Sequence, residues 1–221
     1  CTIAQIRAYK PQSSSLGCGQ VLSCPYTADK ARIVVQEMID GLSLELVEKR
    51  LVTDQLVLTV GYDIENLTRP EIQKVYKGPV TTDRYGRRVP KHAHGTWNLP
   101  RATSSSNELL EAMAALYDKI VNPALLIRRM SLSACHVVNE KMAKEREQKE
   151  TFEQLDLFTD YAKKEAKEKE DQKKRERERR MQEALLTIKK KYGKNAVLRG
   201  MNFEEGATAK ERNGQIGGHQ A

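Results

Sequence analysis

The sequence predicts an α+β fold, a ferredoxin-like βαββαβ sandwich with four antiparallel strands and two helices on one face of the sheet. Three observations predict it. Two stretches carry apolar residues at helical spacing: Ala31, Val34, Val35, Met38, Leu42 and Leu46, then Leu109, Met113, Leu116 and Ile120. Four other stretches alternate with a two-residue period, most clearly Leu56, Leu58, Val60 and Tyr62. Both patterns then stop. After Glu140 the chain is largely Lys, Glu and Arg, so a helical or disordered charged tail is expected to follow the packed domain.

In chain order, residues 1–14 read as a linker, because Pro11 and the Ser13–Ser15 run oppose a helix. The domain is expected to span 15–139. Its first strand, Ser15–Leu22, carries Ser15, Gly17 and Gly19 on one side and Leu16, Cys18, Gln20 and Leu22 on the other. Thr27 suits an N-cap, and the helix it opens should reach about Arg50. The second strand is Asp54–Tyr62. The polar stretch Asp63–Lys91 reads as an extended hairpin or flap, with Asp83–Gly86 (DRYG) as its turn. His92–Leu99 alternates again, with His92, His94, Thr96 and Asn98 opposite Ala93, Gly95, Trp97 and Leu99. Ser105 and Glu108 stand at capping-box spacing before the second helix, which Pro123 should end. The last strand is expected over Ile127–Val138, with Met130, Leu132, Ala134 and His136 on one side and Arg129, Ser131 and Ser133 on the other. Beyond the domain, 140–160 reads as a linker, 161–192 as a solvent-exposed charged helix and 193–221 as an irregular tail.

With helices on one face, the other face of the sheet should show Ser15, Gly17, Gly19, Thr59, Thr96, Asn98, Arg129, Ser131 and Ser133. Such small, hydroxylated or cationic residues suit phosphate contacts from side chains and closely approaching backbone N–H groups. Exposed aromatics of the kind that stack RNA bases are missing there, which points to gripping a backbone rather than reading bases. The formal net charge of +8 favours a polyanionic partner. Its distribution agrees: Arg69, Lys74, Lys77, Arg84, Arg87, Arg88, Lys91 and Arg101 face only Glu71 and Asp83 within one segment. The expected nucleic-acid contacts are thus Ser15, Gly17, Gly19, Arg84, Arg87, Arg88, Lys91, Thr96, Arg101, Ser104, Arg129 and Ser131. A polar sheet face is equally what plain solvation produces, so an interaction module without DNA affinity is the rival reading.

The tail holds one apolar cluster, Phe152 with Leu155, Leu157 and Phe158. Closely spaced Leu and Phe anchors fill a preformed hydrophobic cleft, and Gln154 adds directional hydrogen bonds at its edge. Gln154, Leu155, Asp156, Leu157 and Phe158 (QLDLF) match the eubacterial sliding-clamp-binding pattern at every position. The alternative is a stub of helix packing back on the domain.

Other chemistry is weakly signalled. His92 and His94 with Cys18 or Cys24 lack the paired CxxC of a zinc site. Cys135 and His136 are adjacent, which on a strand would send them to opposite faces. No Walker or Rossmann glycine loop occurs, so an independent enzyme has no motif to rest on. The four cysteines form no framework, and no signal peptide or long apolar span is visible, which favours a reduced cytoplasmic setting without a membrane. The chain begins at Cys1, and a fragment of a longer polypeptide is expected.

A family resemblance joins these features. Gly19–Leu22 (GQVL), Asp29–Arg32 (DKAR) and Leu51–Asp63 (LVTDQLVLTVGYD) resemble the C-terminal little-finger domain of Y-family, DinB/UmuC-type, translesion DNA polymerases. Asp83–Leu99 (DRYGRRVPKHAHGTWNL) and the terminal KKYGKNAVLRGMN and QIGGH segments resemble the UV-damage-repair branch. The resemblance implies a DNA-repair polymerase acting in the SOS response, nucleoid-associated, with primed duplex DNA, the sliding clamp and other SOS or recombination proteins as partners. It also implies palm carboxylates with Mg2+ upstream of Cys1. This chain has no catalytic residues and no cofactor of its own on that reading, since Asp54 and Asp63 lie at opposite ends of one strand.

Overall fold

The computed structural model describes residues 2–8, 14–150, 161–216 and 219–220. Its elements run α1 (Ile3–Ala8), β1 (Leu16–Tyr26), α2 (Ala28–Lys49), β2 (Leu51–Tyr62), α3 (Pro70–Val75), β3 (Val80–Thr82), β4 (Arg88–Pro90) and β5 (Ala93–Thr103). There follow α4 (Ser106–Ile120), β6 (Ile127–Cys135), β7 (Val138–Asn139), α5 (Glu140–Glu150), α6 (Tyr161–Tyr192) and α7 (Ala209–Arg212). The domain is the expected α+β sandwich, with β1, α2, β2, β5, α4 and β6 as its βαββαβ unit. All pairings are antiparallel, in the order β1-β6-β2-β5, and β7 adds a short fifth strand on β2.

Alternation explains the core. Leu56, Leu58 and Val60 of β2 and Met130, Leu132 and Ala134 of β6 are buried under the helices. They meet Val34, Val35, Met38, Leu42 and Leu46 of α2 and Leu109, Met113 and Leu116 of α4 in one continuous cluster. Gly95 lets α4 approach: a Cβ there would stand 2.9 Å from Leu116 Cδ1 and 2.8 Å from Ile120 Cγ2.

The helix ends are set locally. Thr27 occupies the N-cap of α2 but makes no side-chain cap bond. At the other end Arg50 turns left-handed, at φ 55°, and its N–H closes the helix on Leu46 and Val47. Only half of the capping box forms at α4. Ser105 Oγ accepts the Glu108 N–H, while Glu108 turns to Arg101 and the Ser105 N–H goes to Thr103 Oγ1.

Four expectations are corrected. The last strand stops at Cys135, because His136 adopts φ 52° and breaks the alternation; Val137, not His136, is buried. Residues 140–150 of the expected linker are helical. Helix α6 is not a free solvated rod: Gln182 is only 2% exposed, and its Nε2 donates to Ser104 O and Ser106 Oγ. Glu178 accepts the Ser105 hydroxyl and the Asn107 N–H, so a carboxylate joins the Ser105 hydroxyl in capping the first turn of α4.

The fourth correction concerns the stretch after α6, expected to be irregular. It returns across α2 through a 3-10 turn, Gly200–Phe203, and α7. Arg199 pairs with Asp40 at 2.8 Å. Glu37, 3% exposed on α2, accepts from Asn202 Nδ2, the Thr208 N–H and hydroxyl, and the Ala209 N–H. Sequence alternation cannot show this, since Glu37 reads as an ordinary solvated charge.

Replacing Glu37 by Ala would strand these buried donors. We expect Glu37→Ala to lower unfolding free energy by about 3 kcal/mol and to speed amide exchange at Thr208 and Ala209. An unchanged urea midpoint with unchanged exchange would show that the tail is not held this way.

Candidate nucleic-acid interface

The face of the sheet opposite the helices is a lattice whose register is fixed by strand pairing. One row across it is Gly19, Ser131, Thr59 and His94; the next is Gly17, Ser133, Val57 and Thr96. A third row joins Val21, Arg129 and Gly61, and Gln55 faces Asn98 at the other end. Four strands at the usual spacing make each full row about 14 Å wide. The lattice is tied by short polar links, Thr59 Oγ1 to His94 Nδ1 at 2.9 Å and Gln55 Nε2 to Asn98 Oδ1 at 2.9 Å.

Arg129 is the cation of this face. Its side chain lies flat over Gly61, where a Cβ would stand 2.6 Å from Arg129 Cγ and 2.7 Å from Nε. Gly61 is therefore needed for the guanidinium to rest against the sheet, a role its sequence position inside an apolar strand did not signal. Among the described residues Arg129 has no ion-pair partner, whereas neighbouring Arg128 donates to Ser23 O and sits 3.7 Å from Asp63.

The polar segment after β2 forms a separate basic hairpin. Strands β3 and β4 pair Val80 with Pro90 and Thr82 with Arg88. Asp83 locks the tip: Oδ1 accepts the Tyr85 and Arg87 N–H groups, and Oδ2 accepts Arg87 Nε at 2.9 Å. Gly86 takes φ +78°, which completes the turn without strain. Tyr85 is 66% exposed, with the Arg84 and Arg87 guanidinium carbons 4.8 and 5.1 Å from its ring centre.

The structure does not bring every expected contact to one surface. Gly17, Gly19, Thr96, Arg129 and Ser131 share the open face, Ser15 lies one residue before β1 and outside its pairing, and Arg84, Arg87, Arg88 and Lys91 belong to the hairpin. Arg101 is corrected: it lies on the helix side of β5 and is bonded to Glu108. Ser104 is corrected too, being buried beneath α6 with its hydroxyl accepting from Arg179. Backbone N–H groups are also less free than the open-face reading assumed. The ladders occupy most of them in the central strands, and the outer edges of β1 and β5 carry the longest rows of unpaired backbone groups.

Charge in the basic segment is partly spent internally. Arg69 pairs with Glu65, Arg87 with Asp83 and Arg101 with Glu108. Lys74, Lys77, Arg84, Arg88, Lys91 and Arg129 have no ion pair among the described residues, which leaves their charge available to a ligand. Gln154–Phe158 lies outside the described residues.

Asp54 faces His136 Nδ1 at 2.9 Å, while Asp63 accepts the Glu65 N–H. No group of three or more His, Cys, Asp or Glu among the described residues is placed to hold a metal ion. No helix among the described residues is long and apolar enough to cross a membrane.

Fold and surface together define an α+β sandwich with a polar sheet face free of Phe, Tyr and Trp and a separate basic hairpin. No family model matches the chain, and no curated protein matches it. Among solved structures, a complex of beta-clamp processivity factor and the little finger domain of PolIV is similar over 66% of this chain and 100% of that chain, at 9% identity and a TM-score of 0.37.

Desolvation pushes the Asp83 carboxyl upward, but the two backbone donors and the Arg87 side chain outweigh it and hold it below the ordinary 3.8. Because the folded value is lowered, the carboxylate's contribution to the turn is present above the ordinary value and is lost as pH falls through the lowered one. We expect the Asp83 carboxyl carbon to titrate in NMR with a midpoint below 3.8. A midpoint at or above that value would mean the turn is not held by this carboxylate.

Proposed function

We propose that this chain is the C-terminal portion of a Y-family translesion DNA polymerase acting in DNA repair. Its sandwich domain holds primed duplex DNA by the phosphates, without reading sequence, and Gln154–Phe158 tethers it to the sliding clamp. The observation that carries the DNA part is the open face itself. Glycines and hydroxyls run across all four strands, with no Phe, Tyr or Trp in the way and Arg129 laid flat at one end. A curved polyanion can lie close to such a surface, and Arg88 and Lys91 extend the positive charge onto the hairpin. The clamp part rests on the pentapeptide's residues alone. No polymerisation is assigned to these residues; chemistry of that kind would belong to a part of the protein upstream.

Phosphate gripping makes affinity fall with salt, the logarithm of the binding constant losing about 0.9 per logarithmic unit of salt for each phosphate neutralised. The triple change Arg88→Gln, Lys91→Gln and Arg129→Gln should weaken binding to primed duplex and flatten that salt slope, whatever the DNA sequence. Unaltered affinity and slope would favour a protein-binding module instead.

For the tether, Leu157→Ala with Phe158→Ala should abolish clamp binding in surface plasmon resonance and leave the thermal melt of the domain unchanged. Undiminished clamp binding would remove the pentapeptide from the proposal.

A further inference from the structure

The open face and the hairpin differ in one chemical respect. The face has no exposed Phe, Tyr or Trp, its one ring being the His94 imidazole tied to Thr59, whereas the hairpin places Tyr85 at its tip, 66% exposed, with the Arg84 and Arg87 guanidinium groups over the ring. Arg84 Nη2 donates to the Tyr85 hydroxyl at 2.6 Å, and Arg87 is itself held by Asp83. Three planar groups are thus pre-oriented on a turn that is already ordered, so a ligand stacking on them loses little further freedom. Rings and guanidinium planes of this kind stack on nucleobases, and the flanking Arg88 and Lys91 attract the attached phosphates.

A duplex offers no base face to such a platform, because its bases are stacked on one another. We therefore propose that the hairpin tip, Arg84–Tyr85–Arg87, is a second nucleic-acid site, which binds an unpaired nucleotide of a single strand. It rests on the nucleic-acid reading of the domain but uses a different surface from the sheet face. The two surfaces divide the substrate: the sheet meets paired backbone, and the hairpin meets a strand whose bases are open.

The test uses the full chain, a fluorescent short oligodeoxythymidylate and a blunt duplex, read by anisotropy at low salt. The unmodified protein should bind the oligothymidylate. Tyr85→Ala should weaken that binding about tenfold, as loss of one stacked base does, and leave binding to blunt duplex unchanged. Tyr85→Phe, which keeps the ring and removes the hydroxyl, should bind the single strand nearly as well as the unmodified protein. The site is overturned if the oligothymidylate is not bound, or if Tyr85→Ala leaves its binding intact. It is also overturned if Tyr85→Ala weakens both ligands equally, or if Tyr85→Phe behaves like Tyr85→Ala. Failure of the sheet-face reading looks different: duplex binding is then absent while the Tyr85-dependent binding of the single strand persists.

Discussion

Everything in this domain depends on the burial of one face of β2 and β6. Leu56, Leu58, Val60, Met130, Leu132 and Ala134 are each 2% exposed or less, and they define which side of the sheet the helices cover. A strand shifted by one residue would turn this apolar set outward, so the hydrophobic effect fixes register as well as stability. The same constraint aims Thr59, Arg129, Ser131 and Ser133 away from the helices. The polar face is thus a by-product of the core: what the core does not take is what a ligand meets.

Over the helices lies a further layer held by a different force. The segment from Glu178 onward contributes few large apolar side chains to the main cluster, and it is anchored by buried polar groups. Gln182 reaches Ser104 and Ser106, and Glu37 gathers four donors from Asn202, Thr208 and Ala209. Carboxylates recur at helix starts: Glu178 sits at the start of α4 and Glu37 at the start of α7, where unpaired N–H groups and the helix dipole favour negative charge. Bonds of this kind are directional, so they specify where the tail goes more sharply than greasy contact would.

The parts legible in the sequence are those governed by local periodicity. The stripes of α2 and α4 and the alternation of β2 and β5 gave the sandwich and its open face. The DRYG turn was legible because aspartate and glycine have defined roles in tight turns. Long-range polar pairing was not legible. Ser104 and Arg101 look like surface contacts in sequence, yet one lies beneath α6 and the other is bonded to Glu108. Their partners are up to 75 residues away, and no local pattern announces them. His136 was misplaced for another reason, since a left-handed conformation at a residue other than glycine carries no sequence mark. Gly61 was overlooked because its importance lies in a neighbouring strand's arginine.

The contact between Arg179 and Glu140, 3.2 Å apart, has a topological consequence. It joins the start of α5 to the docked half of α6, so the chain leaves the domain and returns to it at nearly the same point. The two residues are 39 apart in sequence, so their contact pins both ends of that excursion, which closes a loop in the chain. The entropy of closing such a loop grows only with the logarithm of its length, about 0.6 kcal/mol for each doubling. Residues could be inserted or removed there at little expense to the folded core. The reach of whatever peptide the excursion carries can thus vary between related chains while the domain stays the same.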